Sequence, residues 1–205
     1  MRQFLPEPVA LQALADLLAC LSQQPLDGQP KFLYGSAGGA YPMQTYVYVK
    51  PGRVEGLAGG AYYHDPAAHR LVALGQGREL SADAYDYFVN RPVFEAAAFA
   101  LFLVADLAAI EPLYGDKSLD FCHIEAGAMA QLLTIAAAEQ RLGLCGIGSL
   151  ETDRLEALFE LGASHRPVYS MVGGLRRAHV HGAHPVAPLQ QSAAPAAVEM
   201  EEIEI

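Results

Sequence analysis

The chain has 205 residues, of which 52% are apolar and 18% charged, enough to bury a full core in one domain. Its net charge of −10, from 13 Lys+Arg against 23 Asp+Glu, excludes a binder of nucleic-acid backbones, which needs a basic face to displace counterions. No run of eighteen apolar residues is free of Gly, Pro or charge, so no membrane-spanning helix is expected. The opening Met-Arg-Gln-Phe-Leu-Pro lacks the apolar run of a signal peptide. Three cysteines, Cys20, Cys122 and Cys145, are too few and too scattered for a disulfide framework or a four-ligand zinc site. The expectation is an acidic, reduced, cytoplasmic protein.

Pro6 and Pro8 suit the entry to a helix, along which Leu11, Leu14, Leu18 and Leu21 recur as one apolar stripe. Residues 23–30 read as a polar loop, followed by the glycine-rich segment Tyr34-Gly35-Ser36-Ala37-Gly38-Gly39-Ala40-Tyr41-Pro42. Thr45 to Lys50 is β-branched and aromatic, hence a strand. Gly60 to His64 and Arg70 to Leu74 read as a hairpin around residues 65–69. Phe99 to Val104 is apolar at every position, as in a strand buried on both faces at the centre of a sheet. Asp120 to Arg141 reads as a long helix with Ile124, Ala128, Leu132 and Ile135 along one side. Residues 143–148, with three glycines, read as the break that stops it. A short helix around Leu155, Leu158, Phe159 and Leu161, capped by Gly162, leads to a last strand over 167–174. From about His181 the chain turns Ala-, Pro- and Gln-rich and then acidic, so a domain over 1–180 with a flexible tail over 181–205 is expected. The element order predicts an α+β sandwich, a mixed sheet flanked by helices; the hairpin argues against a doubly wound parallel sheet.

Several segments can carry chemistry. Ser36, Ala37, Gly38 and Gly39 strip side chains from a loop, so backbone N–H groups could approach a planar or anionic ligand; a tight turn into the next strand fits equally. No Gly-Lys-Ser/Thr follows, which removes a Walker loop. Gly146, Ile147 and Gly148 form either a helix stop or a second such cradle. Arg176 and Arg177, with Arg2, are candidates for a phosphate clamp, because guanidinium forks match phosphate oxygens; the alternative is a solvated pair. Asn90 offers donor and acceptor to a heterocycle edge beside Arg91, or simply caps a turn. Tyr114 and Lys117 place a phenol and an amine three residues apart, suited to proton transfer unless both are ordinary surface groups. Without tryptophan, stacking falls to Tyr41, Tyr87 or Phe88, and Phe88 is the candidate substrate wall. No Gly-X-Ser-X-Gly elbow is present for a hydrolase, and Cys122-His123 point two ways on a helix.

Taken in order, Ser36 to Pro42, Phe88-Val89-Asn90-Arg91-Pro92, Leu113-Tyr114-Gly115, Glu125 to Gln131 and Gly143 to Gly148 resemble the flavin-dependent oxidase domains of nonribosomal peptide synthetases, within the nitroreductase superfamily. The likeness runs from Arg2 to about Arg177, and Arg2-Gln3-Phe4 is similar to the end of the family's Arg-rich opening motif. It implies an α+β homodimer with FMN at the subunit interface. Arg2 with Arg176 or Arg177 would hold the phosphate, Ser36 to Gly39 would lie along the isoalloxazine from the partner subunit, and Asn90 and Arg91 would meet the ribityl or pyrimidine edge. Backbone N–H groups of Gly146 to Gly148 would approach flavin N5. Related azoline dehydrogenases carry a Lys-Tyr pair before the long helix; Leu113 and Tyr114 stand there, leaving Tyr114 alone or Lys117 as the amine. The implied reaction is two-electron oxidation of a carrier-tethered thiazoline or oxazoline, with dioxygen as final acceptor. Dehydrogenation of tethered glutamine, as in indigoidine synthetases, and a free-standing NAD(P)H nitroreductase are the alternatives.

Overall fold

The computed structural model describes residues 3–26, 28–148 and 151–176. Arg2, Arg177, the boundary near residue 180 and the tail lie outside them. The Leu-rich stripe forms α1 (Leu11–Ala19), with Leu14, Leu17 and Leu18 fully buried. The segment expected to be a loop instead folds into a small hairpin, β1 (Gln24–Leu26) and β2 (Gln29–Lys31). Then come β3 (Met43–Val49), β4 (Gly60–Asp65) and β5 (Arg70–Gln76), and α2 (Arg91–Ala96). The chain continues through β6 (Phe99–Asp106), the single turn α3 (Glu111–Tyr114) and α4 (Ser118–Glu139). It closes with β7 (Leu142–Ile147), α5 (Asp153–Phe159) and β8 (His165–Leu175).

Six strands form one sheet in the order β5-β4-β3-β6-β8-β7. Every neighbouring pair is antiparallel, and among the described residues parallel pairing is confined to the bridge Val9↔Val54. The α+β sandwich follows from period-two alternation. Val47, Val49, Leu101 and Leu103 face α1 and α4, while Tyr46, Tyr48, Ala100 and Phe102 face α2 and α5. β6 is buried from Phe99 to Ala105, as its continuous apolar run requires.

Two local readings are corrected, and the orientation of α4 is fixed. The glycine-rich 143–148 is not a break: Leu142–Ile147 pairs with β8 as an edge strand, and α4 ends earlier, with Arg141 at φ 57 making the turn. α5 is closed by Glu160 in the left-handed conformation, φ 56, rather than by Gly162, whose N–H instead donates to His165 Nδ1 at 3.0 Å. The side of α4 carrying Ile124, Ala128 and Ile135 faces outward, with Ile124 70% exposed. The buried stripe is Cys122, Glu125, Ala126, Met129, Leu133 and Ala137. Ser118, Cys122, Ala126 and Ala137 on the buried side let the helix lie close to the sheet, and the β-branched side turns out. By length and composition alone Glu111–Glu139 is apolar enough to cross a bilayer, yet part of it is buried in this fold.

A polar knot ties the turn after α1 to the β4–β5 hairpin. Ser22 Oγ lies 2.8 Å from His69 Nδ1, and His64 Nε2 lies 3.2 Å from the same nitrogen. Burial, then the neighbouring His69, pushes His64 down from 6.5 to about 4. A folded-state value below the unfolded one means the unfolded chain takes up the proton first. The contribution is therefore complete above pH 6.5 and is lost as pH falls toward about 4. It amounts to about 3 kcal/mol. Urea titrations between pH 7 and 4 are expected to show a stability slope that His64→Leu flattens; an unchanged slope in the variant contradicts this.

Candidate active site

Because β3 runs antiparallel to β6, and β7 runs antiparallel to β8, the entry to β3 and the exits of β6 and β7 open toward one end of the sheet. Ser36–Gly39 enters β3 there, and Tyr114 follows β6. Ala37–Gly39 makes one 3-10 turn, with Gly38 at φ 59 and Gly39 at φ 69. Its tightness is a packing requirement: a Cβ on Gly38 would lie 2.9 Å from the Tyr114 hydroxyl oxygen and 3.6 Å from Leu113 Cδ1. Tyr114 rests on Phe121 of α4, with ring centroids 4.7 Å apart. The fold thus brings Ser36, Ala37, Gly38, Gly39 and Tyr114 together in one chain.

The loop is pinned at its base. Ser36 Oγ accepts from the Tyr41 N–H at 2.8 Å. Burial raises the pKa of the Glu125 carboxyl on α4, against the Ser36 hydroxyl and the Met43 N–H, which favour its charged form. Tyr41 itself is left-handed, φ 47, and its ring packs against Phe32 at 4.5 Å and Tyr34 at 5.8 Å. Glu125 is the residue whose position sequence reasoning missed. Its signal was a lone carboxylate on a helix side otherwise made of Cys, Ala, Met and Leu.

Lys117 does not join this group: it is 75% exposed and paired with Asp120 at 3.5 Å. Gly146, Ile147 and Gly148 lie at β7, three strands from β3, or roughly 14 Å at ordinary strand spacing. Gly146 faces the Tyr169 hydroxyl of β8, which fills the space of a missing Cβ. Tyr169 separates two depressions. A groove of about 420 Å³ runs between α4 (His123, Gly127, Gln131) and β8 (Val168, Met171). A smaller one of about 140 Å³ is lined by Ile147, Gly148, Thr152 and Ser170. Gly39 and Gly148 have no atom within 4 Å of where a Cβ would stand, so both loops present open backbone that a planar ligand can approach closely.

Asn90 and Arg91 sit at the start of α2, on the opposite sheet face from α4. The Asn90 side chain caps nothing. The Arg91 guanidinium is held by Asp83 at 2.7 Å and Glu95 at 2.9 Å, beneath the Tyr87 ring. Phe88 projects next to Tyr87 and is 85% exposed. Arg176 follows β8 at the far end of the sheet, its N–H on Arg141 O at 3.1 Å and its guanidinium on Ala138 O at 3.2 Å. Among the described residues no three His, Cys, Asp or Glu side chains converge on a metal position.

The family model described as "Nitroreductase family" matches residues 1–175. The chain belongs to the nitroreductase family. Among its family relatives, the candidate nitroreductase MJ1384 of Methanocaldococcus jannaschii is 24% identical over 163 residues, 78% of this chain and 79% of that protein. Indigoidine synthase of Dickeya dadantii is 27% identical over 124 residues, which are 60% of this chain but 7% of that protein. The E. coli microcin synthetase McbBCD complex with truncated pro-MccB17 bound contains a chain that superposes with a TM-score of 0.72 at 16% identity, covering 85% of this chain and 67% of that one. This likeness establishes the shared fold.

Proposed function

We propose that this nitroreductase-family chain is an FMN-dependent oxidase domain that removes two electrons from a carrier-tethered thioester substrate. The carrying observation is the packing of Tyr114 against Gly38 within the open-backbone Ser36–Gly39 loop. It combines the proton-handling phenol and the flavin-facing glycines of the resemblance in one place. Bound FMN supplies the acceptor for a substrate hydride, with dioxygen as final acceptor.

Ser36 to Gly39 and Gly146 to Gly148 would hold the ring system through backbone N–H groups. Arg2, Arg176 and Arg177 would meet the phosphate, and Asn90 and Arg91 the ribityl or pyrimidine edge, Arg91 after exchanging a carboxylate partner. The separation of the two glycine loops by three strands favours a site assembled from two subunits, each giving one loop. The exposed side of α4, with Ile124, Ala128 and Ile135, supplies an apolar face for that homodimer. As its phenolate, Tyr114 would take the proton from the ring carbon next to the one that gives up hydride and so become the neutral phenol, Lys117 being held at the surface by Asp120. Phe88 is the substrate wall, and neighbouring synthetase domains deliver the carrier in the cytoplasm.

Thiazolines and oxazolines are the first substrate class, because aromatisation drives their oxidation. The indigoidine synthase relative favours tethered glutamine as the second reading. Carrier-bound thiazoline and glutaminyl thioesters are to be incubated with the FMN-loaded chain in air. A product lighter by two hydrogens, formed without NAD(P)H and with oxygen uptake, is expected. Turnover confined to NAD(P)H with nitro compounds or quinones overturns the proposal in favour of a diffusible-substrate reductase.

A further inference from the structure

Glu125 is 2% exposed, and its Oε1 is buried without a hydrogen-bond partner. No ion pair among the described residues includes it. Its titratable neighbours are the Tyr34 phenol from the segment before the loop and the Cys122 thiol one turn back on α4, neither of them a cation. A carboxyl in such a place is costly, and an apolar side chain of similar volume would serve packing alone as well or better.

What it does contact is specific. The Ser36 hydroxyl and the Met43 N–H, the two groups that favour its charged form, flank the glycine turn on either side. Between them lie three left-handed residues, Gly38, Gly39 and Tyr41, of which Tyr41, carrying a Cβ, is strained in that conformation. Such a segment keeps its shape only when its ends are fixed.

We propose that Glu125 is a positioning residue: its carboxyl clamps Ser36 and Met43 to α4 and thereby holds the Gly38–Gly39 turn against Tyr114 in the shape the cofactor needs. The relevance to FMN rests on the functional reading above; the clamp itself does not. Glu125 touches neither substrate nor the reacting atoms and acts through Ser36.

The test compares amide hydrogen exchange of the FMN-free chain with FMN affinity in Glu125→Gln, Glu125→Leu, Ser36→Ala and the double variant Glu125→Leu/Ser36→Ala. Gln keeps an acceptor of the same shape, so exchange over 36–43 and FMN affinity are expected within about threefold of the parent. Leu removes the acceptor: exchange over 36–43 is expected to quicken at least about tenfold, with FMN binding weakened by a similar factor. Ser36→Ala reproduces that local loss, and the double variant adds little to either, because both break one linkage.

Parent-like exchange over 36–43 in both Glu125→Leu and Ser36→Ala overturns the clamp. So does acceleration spread evenly over α4 and the sheet, the mark of a general packing role. If Glu125→Leu does not fold, Ser36→Ala alone must show the confined loss, and its absence overturns the proposal. Confined loss together with a parent chain that takes up no FMN upholds the clamp and refutes the flavin reading.

Discussion

Gly173→Ala is expected to lower the melting temperature by roughly 6–12 °C, the equivalent of about 3 kcal/mol in a domain of this size. Gly173 lies on β8 between Phe99 of β6 and Leu144 of β7. A Cβ there would stand 2.5 Å from Phe99 Cζ, 2.6 Å from Cε2 and 2.7 Å from Leu144 Cδ2. Phe99 is completely buried, so its ring has no free space to swing into. The strain must pass into the backbone of three adjacent strands. Gly127→Ala provides the contrast: its Cβ meets nothing within 4 Å where α4 borders the open groove beside β8. Alanine's helix propensity should there leave stability unchanged or raise it by about 1 kcal/mol. Thermal unfolding followed by circular dichroism checks both, and a Gly173→Ala transition coinciding with the parent's contradicts the packing argument.

Tyr114→Phe is expected to keep the cofactor and lose at least about tenfold in turnover, the low end of general acid–base contributions. The ring stays on Phe121 and against Gly38, because those contacts use its carbons as well as its oxygen. Only the hydroxyl is removed, so melting temperature and flavin content should match the parent. Lys117→Met should change turnover little, since the amine is solvated and paired with Asp120. Single-turnover oxidation of the tethered substrate separates the two. Full activity in Tyr114→Phe, with loss in Lys117→Met, would transfer the proton-accepting role to the amine.

The parts of the fold legible in the sequence were those with one dominant periodicity. Phe99–Val104 has no polar position, and a strand buried on both faces is the structure that uses such a run. The hairpin at residues 65–69 is equally direct, and so is α1, although the exposed Leu11 gives its place in the buried stripe to Leu17. The errors arose where a side chain from elsewhere supplies the reason for a residue. Gly146 suits an edge strand because the Tyr169 hydroxyl occupies its missing side chain, a contact across β7 and β8 invisible to local pattern. The outward side of α4 carries Ile124 and Ile135, whereas the sheet side takes cysteine, alanine and methionine, so side-chain bulk along the helix does not by itself reveal which side is buried. Glu160 takes a left-handed cap that glycine would be expected to hold, and nothing in its local sequence announces it.

At the candidate site, the individual loops were readable but their meeting was not. Gly38 and Tyr114 are far apart in the chain, and only the β3–β6 pairing brings the two segments to one end of the sheet. Glu125 stood inside a quoted motif without a role, since glutamate on a helix is ordinarily solvated. Its burial appears only once α4 is laid on the sheet.

The central claim, a flavin site built on these two glycine loops, is tested most directly by the visible absorption of the purified, desalted chain, with any chromophore released by heat and identified by mass. The prediction is a yellow protein carrying about one FMN per chain. A chain that remains colourless after incubation with FMN would contradict it, leaving the fold to serve as a scaffold without oxidase chemistry.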